Sequence, residues 1–187
     1  MEQLSSKHPA ITLKQLTLIG VMTAVMCLLS PFSIPIPFSP VPITLATLGL
    51  YIIAYVLGTK LGTISCLIYL LLGAVGLPVF SSFSGGFAKI AGPTGGYLLG
   101  YLFLSAITGF FIERFSGKLV FAVIGMIVGT AICYAFGTLW LAAQMQLTFP
   151  QALATGVIPY LPGDAIKIII ACILGPKLRA AIQRIGN

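Results

Sequence analysis

PYLPGDAIKIIIA, residues 159–171, holds the chain's one aspartate, Asp164, and a lysine three residues later, Lys167, in an otherwise apolar run. A charge at the centre of a membrane helix costs about 2.5–3.5 kcal/mol, so ionisable groups there normally face a cavity, a partner or a substrate. At i and i+3 the two side chains share one helix face, with Cβ atoms about 5–6 Å apart. They can neutralise each other as a private ion pair that holds the helix in register, or they can line a pocket together. Buried pairs are poor stabilisers compared with apolar packing, which weakens the first reading. Pro159, Pro162 and Gly163 favour the second, because they interrupt the helix just before the pair and free backbone groups that a membrane tolerates only under cover or beside a cavity. A crossing that begins near Phe149 puts Asp164 about 22 Å deep, whereas one that begins at the 159–163 turn puts it one turn below the outer surface. The shallower start is the favoured one, since residues 160–176 still span about 25 Å.

The membrane setting follows from composition. Of 187 residues 58% are hydrophobic and 7% charged, against roughly 25% charged in soluble domains. The expectation is an all-α integral membrane protein, one domain over residues 1–187, with apolar runs at 14–31, 43–58, 60–77, 95–112, 119–143 and 150–175 as six crossings. None has the alternating pattern of a membrane β-barrel strand. Pro31, Pro35, Pro37, Pro40 and Pro42 end the first run, since each removes a backbone donor, and leave an outer loop at 32–42. SSFSGGFAKIAGPTGG, residues 81–96, is too polar and too glycine-rich to cross, and gives a second outer loop at 78–94. With a cytoplasmic amino terminus, eight of the ten lysines and arginines fall inside: Lys7, Lys14, Lys60, Arg114, Lys118, Lys177, Arg179 and Arg184. Lys89 lies outside and Lys167 within, so both termini are placed in the cytoplasm.

Several function classes fall away on the same residues. The net charge of +7 comes without a basic cluster interleaved with aromatics, which excludes nucleic acid as a partner. Cys27, Cys66, Cys133 and Cys172 stand singly in apolar runs and read as small hydrophobes, with neither disulfide nor metal spacing. The first run is followed by prolines and not by a cleavage site, which argues against a removed signal. A membrane enzyme needs clustered bases, nucleophiles or ligands, but His8, Glu2 and Glu113 all lie far from Asp164 and no cofactor is implied. A small ion-coupled carrier that uses Asp164 and Lys167 as a proton relay is the alternative to a solute-binding protein.

A second constellation is GPTGGY, residues 92–97, at the start of the fourth helix. Gly92, Gly95 and Gly96, with Thr94 between them, allow close backbone approach to a ligand, and free amides at a helix start favour an anion. An ordinary capping turn has the same composition. Phe80, Phe83, Phe87, Tyr97 and Tyr160 can clamp a ring or form an interfacial belt. Gly20 and Ala24 on the first helix, with Thr17 a step above, have the small-xxx-small spacing of close helix contact, either within the chain or with another membrane subunit.

At PVPITLATLG (40–49), GLPVFSSFSGGFAKIAGPTGGYLLGY (76–101) and PGDAIK (162–167) the chain resembles the BioY family, the biotin-specific substrate-binding (S) components of energy-coupling factor (ECF) transporters. The resemblance runs from about residue 12 to residue 180. It implies a six-helix S-component fold in a prokaryotic cytoplasmic membrane, with a biotin site near the outer face under the two outer loops. It also implies that the chain hydrolyses no ATP and depends on a transmembrane coupling subunit and two ATPase subunits. The residues it points to are Asp164, Lys167, Tyr160, Tyr97, Phe80, Gly92, Thr94, Gly95 and Gly96 for biotin, and Gly20 and Ala24 for docking, where family members often carry Ala-x-x-x-Ala. Ser81 to Ser84 include the large Phe83 where mostly small residues are expected, a departure that touches the lid.

Overall fold

Helix α1, Leu13–Leu29, begins at a capping box, in which the Thr12 hydroxyl accepts the Gln15 amide at 3.3 Å and the Gln15 side chain accepts the Thr12 amide at 3.0 Å. It is the first element of a computed structural model that describes residues 11–184. Ile19, Met22, Thr23 and Met26 are buried at three- and four-residue spacing, one stripe against helix α2, Ala46–Ala74. Polar contacts fix the register of that packing: Thr23 and Ser65 hydroxyls lie 2.9 Å apart, and those of Ser30 and Tyr69 2.5 Å apart.

Helix α2 is two crossings joined at Gly58, whose φ of 73° and ψ of −159° break the helix. The chain turns back there. A Cβ built on Gly62 would lie 3.7 Å from the Ile53 carbonyl oxygen, whereas residues nine apart in a straight helix are about 13 Å apart along the axis. A positive φ of this size favours glycine over any residue with a Cβ. Together with α4 (Gly95–Arg114), α5 (Leu119–Met145) and α7 (Leu161–Arg184), the two arms and α1 make six apolar helical segments, and α2, α4, α5 and the α6–α7 run are long and apolar enough to cross a membrane. Helix α4 packs against both α5 and α2, and α7 packs mainly on α2.

Three details differ from the expectation. The 32–42 loop is an antiparallel hairpin, β1 (Ser33–Ile36) and β2 (Ser39–Thr44), so the fold is not wholly helical. Prolines fit here because both strands of a two-stranded ribbon are edges, and the pairing shifts register between Ile34 and Ile36 around Pro35. The 78–94 loop contains a 3-10 turn, Ser81–Phe83, and a short helix α3, Phe87–Ala91. The last apolar run is not one helix over 150–175. Helix α6, Phe149–Gly156, ends at Val157, a 3-10 turn spans Ile158–Tyr160, and α7 continues through Pro176 to Arg184. Pro162 and Gly163 therefore sit in the first turn of α7, where the missing proline N–H has no intrahelical acceptor to lose, and the interruption lies before them.

The hairpin, the 78–94 segment and the 158–160 turn gather at one end of the bundle. The Ser82 amide donates to the Pro31 carbonyl at 3.0 Å, and the Tyr160 hydroxyl donates to Ser39 Oγ at 2.7 Å and to the Val41 carbonyl. At the other end the Thr59 hydroxyl donates to the Glu113 carboxylate. The basic residues Lys14, Lys60, Arg114, Lys118, Lys177, Arg179 and Arg184 belong to helix ends and turns on that second side. Lys7, His8 and Glu2 lie outside the described residues.

Candidate ligand-binding site

Asp164 lies in the first turn of α7, where the helix dipole favours a carboxylate, and Lys167 follows on the buried stripe that continues through Ala171 and Gly175. Both are nearly inaccessible, at 3% and 8% exposure. Lys167 Nζ donates to Asp164 Oδ1 at 3.0 Å and to Thr47 Oγ1 at 3.0 Å. The Thr47 hydroxyl in turn donates to Asp164 Oδ1 at 3.4 Å, and the Tyr134 hydroxyl donates to Oδ2. An ammonium has three donors, so one N–H of Lys167 remains for another acceptor, and the carboxylate keeps one lone pair, on Oδ2, beyond the three bonds it accepts.

The pair forms one wall of a cavity of about 40 Å³ under β2, with Val41, Thr44, Tyr97, Tyr101, Tyr134 and Tyr160 among the other lining residues. A second cavity of about 30 Å³ adjoins it and reaches Ser30, Ser81 and Thr94. Val41, Pro42, Thr44, Tyr97 and Tyr101 line both, so these side chains divide what would otherwise be one chamber. Each space fits about one water, whereas small-molecule sites run to about 300–1,000 Å³. A ligand of vitamin size therefore needs β2 and its neighbouring aromatics to move outward.

Tyr97 is held in place by its own packing. Its hydroxyl donates to the Gly156 carbonyl at 3.1 Å, and its ring meets Tyr134 edge-on with centroids 6.2 Å apart. A Cβ at Gly137 would overlap that ring. Tyr160 closes the cavity from the 158–160 turn and ties it to the hairpin through Ser39 and Val41.

The other sequence-derived residues are placed differently. Phe80 is fully buried, edge-on to Tyr69 with centroids 5.5 Å apart, and fills the notch left by Gly73, so it lines neither cavity. The glycines of the 92–97 turn serve packing. A Cβ at Gly95 would strike the Ile90 carbonyl, one at Gly96 would strike Trp140, and the Gly92 carbonyl accepts the Trp140 indole N–H at 2.9 Å. Of that turn, Thr94 and Tyr97 reach a cavity. The amides of Gly95 and Tyr97 are already bonded to Gly92 and Thr94, at 3.0 and 3.2 Å, which leaves little of a helix-start anion site. Lys89, the lone cation of the 78–94 segment, is half-buried, and burial pulls its ammonium below the usual lysine range. Gly20 and Ala24 face outward, and a Cβ on Gly20 would meet nothing within 4 Å, so their spacing does no packing inside the chain.

Thr47, Tyr101, Thr130 and Tyr134 complete the site and were not singled out from the sequence. A hydroxyl in the middle of an apolar crossing is the feature that marks them. Tyr51 is the supporting case, fully buried with its hydroxyl 2.5 Å from Thr130 Oγ1.

Six apolar helical segments around a buried ion pair, roofed at one end by a hairpin and a partly helical loop over two small cavities, define a multi-pass membrane protein. The BioY family model matches residues 2–184, and the chain belongs to that family. It is 42% identical over 156 residues to the biotin transporter BioY of Rhizobium etli, covering 79% of this chain and 82% of that protein. It is 35% identical to the biotin transporter BioY of Thermotoga maritima, over 89% and 96% of the two chains. The crystal structure of the S-component for biotin from an ECF-type ABC transporter superposes with a TM-score of 0.83 at 34% identity, over 89% of this chain and 91% of that one. These relatives are transporter components, not enzymes.

Proposed function

We propose that this chain binds biotin as the substrate-specific component of an ECF-type transporter, with the ligand held between Asp164 and Lys167 under the β1–β2 hairpin. The observation that carries the reading is the buried carboxylate–ammonium pair on a cavity wall in a chain of this family. Biotin offers two ureido N–H donors, a carbonyl acceptor and a tail carboxylate. Asp164 accepts from a ureido N–H on its remaining lone pair, and the free N–H of Lys167 donates either to the ureido oxygen or to the tail carboxylate. Tyr97, Tyr101, Tyr134 and Tyr160 supply flat apolar surface for the bicycle and the valeryl chain, and Thr94 and Ser81 stand in the adjoining chamber. The basic end of the bundle is cytoplasmic in this reading, with both termini inside a prokaryotic cell membrane and the hairpin outside.

Calorimetry on the purified chain with biotin, joined to mass spectrometry of the co-purified small molecule, tests the assignment. Tight stoichiometric binding of biotin is expected, and no heat with biotin together with a different bound solute would reject it. Tyr134→Phe keeps the ring against Tyr97 and removes one charge-assisted hydrogen bond to Asp164. It is expected to weaken biotin about tenfold, the lower end of what such a bond is worth.

Gly20 and Ala24 form the contact with the coupling subunit. Their outward exposure, in a helix whose opposite stripe is buried on α2, supports this. Gly20→Trp is expected to leave biotin calorimetry unchanged and to abolish co-purification with the coupling subunit and its ATPases; retained co-purification would remove α1 from the interface. Uptake that needs ATP and those subunits separates this function from a carrier driven by a proton gradient.

A further inference from the structure

The buried stripe of α7 ends at Gly175. The same face of α7 continues at four-residue steps through the half-buried Arg179 to the exposed Gln183, so a guanidinium stands at the rim of the bundle. Arg179 lies about 22 Å along the helix from Asp164, at the far end of the crossing where headgroups begin. It lines a cleft of about 360 Å³ with Tyr55, Glu113, Ser116, Gly117 and Gln183. Arg179 Nη1 is buried and lacks a hydrogen-bond partner among the described residues, and the buried hydroxyl of Tyr55 has no oxygen or nitrogen partner there, with only the weakly bonding Cys172 thiol beside it. Tyr55 itself is 1% exposed, with its ring against Gly175. Glu113 also faces the cleft, but its carboxylate takes the Thr59 hydroxyl and comes no closer than 4 Å to Arg179, for the one ion pair among the described residues is Asp164–Lys167.

We propose that this cleft binds a phosphate group, that of a phospholipid headgroup, between the Arg179 guanidinium and the Tyr55 hydroxyl. The planar fork of a guanidinium matches two phosphate oxygens, and buried donors without partners are costly until an acceptor arrives. Lys60, Arg114, Lys118, Lys177 and Arg184 surround this end, where Glu113 is the one acid among the described residues, so the local field draws anions. A lipid is the source that fits, because exposed Leu119, Val120 and Leu178 flank the cleft in sequence and offer acyl chains an apolar rim that a dissolved phosphate would not use.

Native mass spectrometry of the full chain in neutral detergent, titrated with phosphatidylglycerol or phosphatidylcholine, tests the site. Phosphatidylglycerol is expected to bind at least about tenfold more weakly to Arg179→Gln, and less than about twofold more weakly to Lys177→Gln, which removes an exposed cation nearby. Arg179→Lys keeps the charge without the fork and falls between the two. Glu113→Gln is expected to strengthen binding about threefold by removing the opposing carboxylate. Unchanged biotin calorimetry in Arg179→Gln certifies the fold. Equal losses in Arg179→Gln and Lys177→Gln, or a loss in neither, overturn the site. Glycerol phosphate is the second probe: displacement of the lipid at millimolar concentration supports recognition through the phosphate, while glycerol phosphate binding with no preference between the two lipids overturns the lipid as its source.

Discussion

Asp164→Asn is expected to weaken biotin binding at least about 100-fold in calorimetry while the protein still elutes as a monodisperse species in detergent. Asp164 accepts from Lys167 and Thr47 on one oxygen and from Tyr134 on the other. An amide offers one acceptor oxygen only; with that oxygen kept for Lys167 and Thr47, its NH2 takes the Tyr134 side, where the hydroxyl turns to accept, and a donor then faces the ureido N–H. A hydrogen bond to a charged group is worth about 1.5–3 kcal/mol and a buried donor left unpaired costs about 1–3 kcal/mol, so losing the bond to a ureido N–H and leaving that N–H against the amide removes about 2.5–6 kcal/mol, a factor of roughly a hundred or more. The fold survives because Lys167 keeps Thr47 at 3.0 Å and lies near the hairpin end of α7. Affinity within about threefold of the parent chain would mean that the carboxylate serves the helix and not the ligand.

Exchanging the two charges separates those roles further. Asp164→Lys combined with Lys167→Asp keeps an i, i+3 pair on the same face of α7, so a purely structural bridge would re-form. The exchange puts a cation in the first turn of the helix, an unfavourable end for it, at about 0.3–1 kcal/mol. A fall of about 1–4 °C in thermal midpoint is expected from that term. Biotin binding is expected to fall by at least about 100-fold, because a donor now stands where the ureido N–H groups need an acceptor. Retained affinity in the exchanged variant, with a retained midpoint, would assign the pair to helix register alone.

The sequence carried the membrane class, the six crossings and the ion pair because each rests on local facts. Apolar runs mark crossings, and two charges in one turn of oil demand a reason. The break at Gly58 was legible for the same cause, as a glycine followed by Lys60 divides two apolar runs. The hairpin was not, since prolines that forbid a helix do not by themselves predict pairing across a two-residue turn. Phe80 and the 92–97 glycines misled for a tertiary reason. Phe80 lies within the 78–94 loop, yet its ring swings into the notch at Gly73, and Gly95 and Gly96 are small so that Ile90 and Trp140 can approach. Which neighbour a glycine admits depends on helices remote in sequence. Tyr134 and Thr47 stood unmarked for a related reason: one hydroxyl in an apolar helix becomes part of a site only when another helix brings a charge to it.

The central claim is that Asp164 and Lys167 hold the ligand as well as each other. A crystal structure of the biotin complex tests it most directly. The predicted result has a ureido nitrogen within about 3.2 Å of an Asp164 oxygen, and the ureido oxygen or the tail carboxylate at a similar distance from Lys167 Nζ, under a displaced β2. Biotin bound elsewhere, with Asp164, Lys167, Thr47 and Tyr134 bonded only among themselves as they are here, would contradict it.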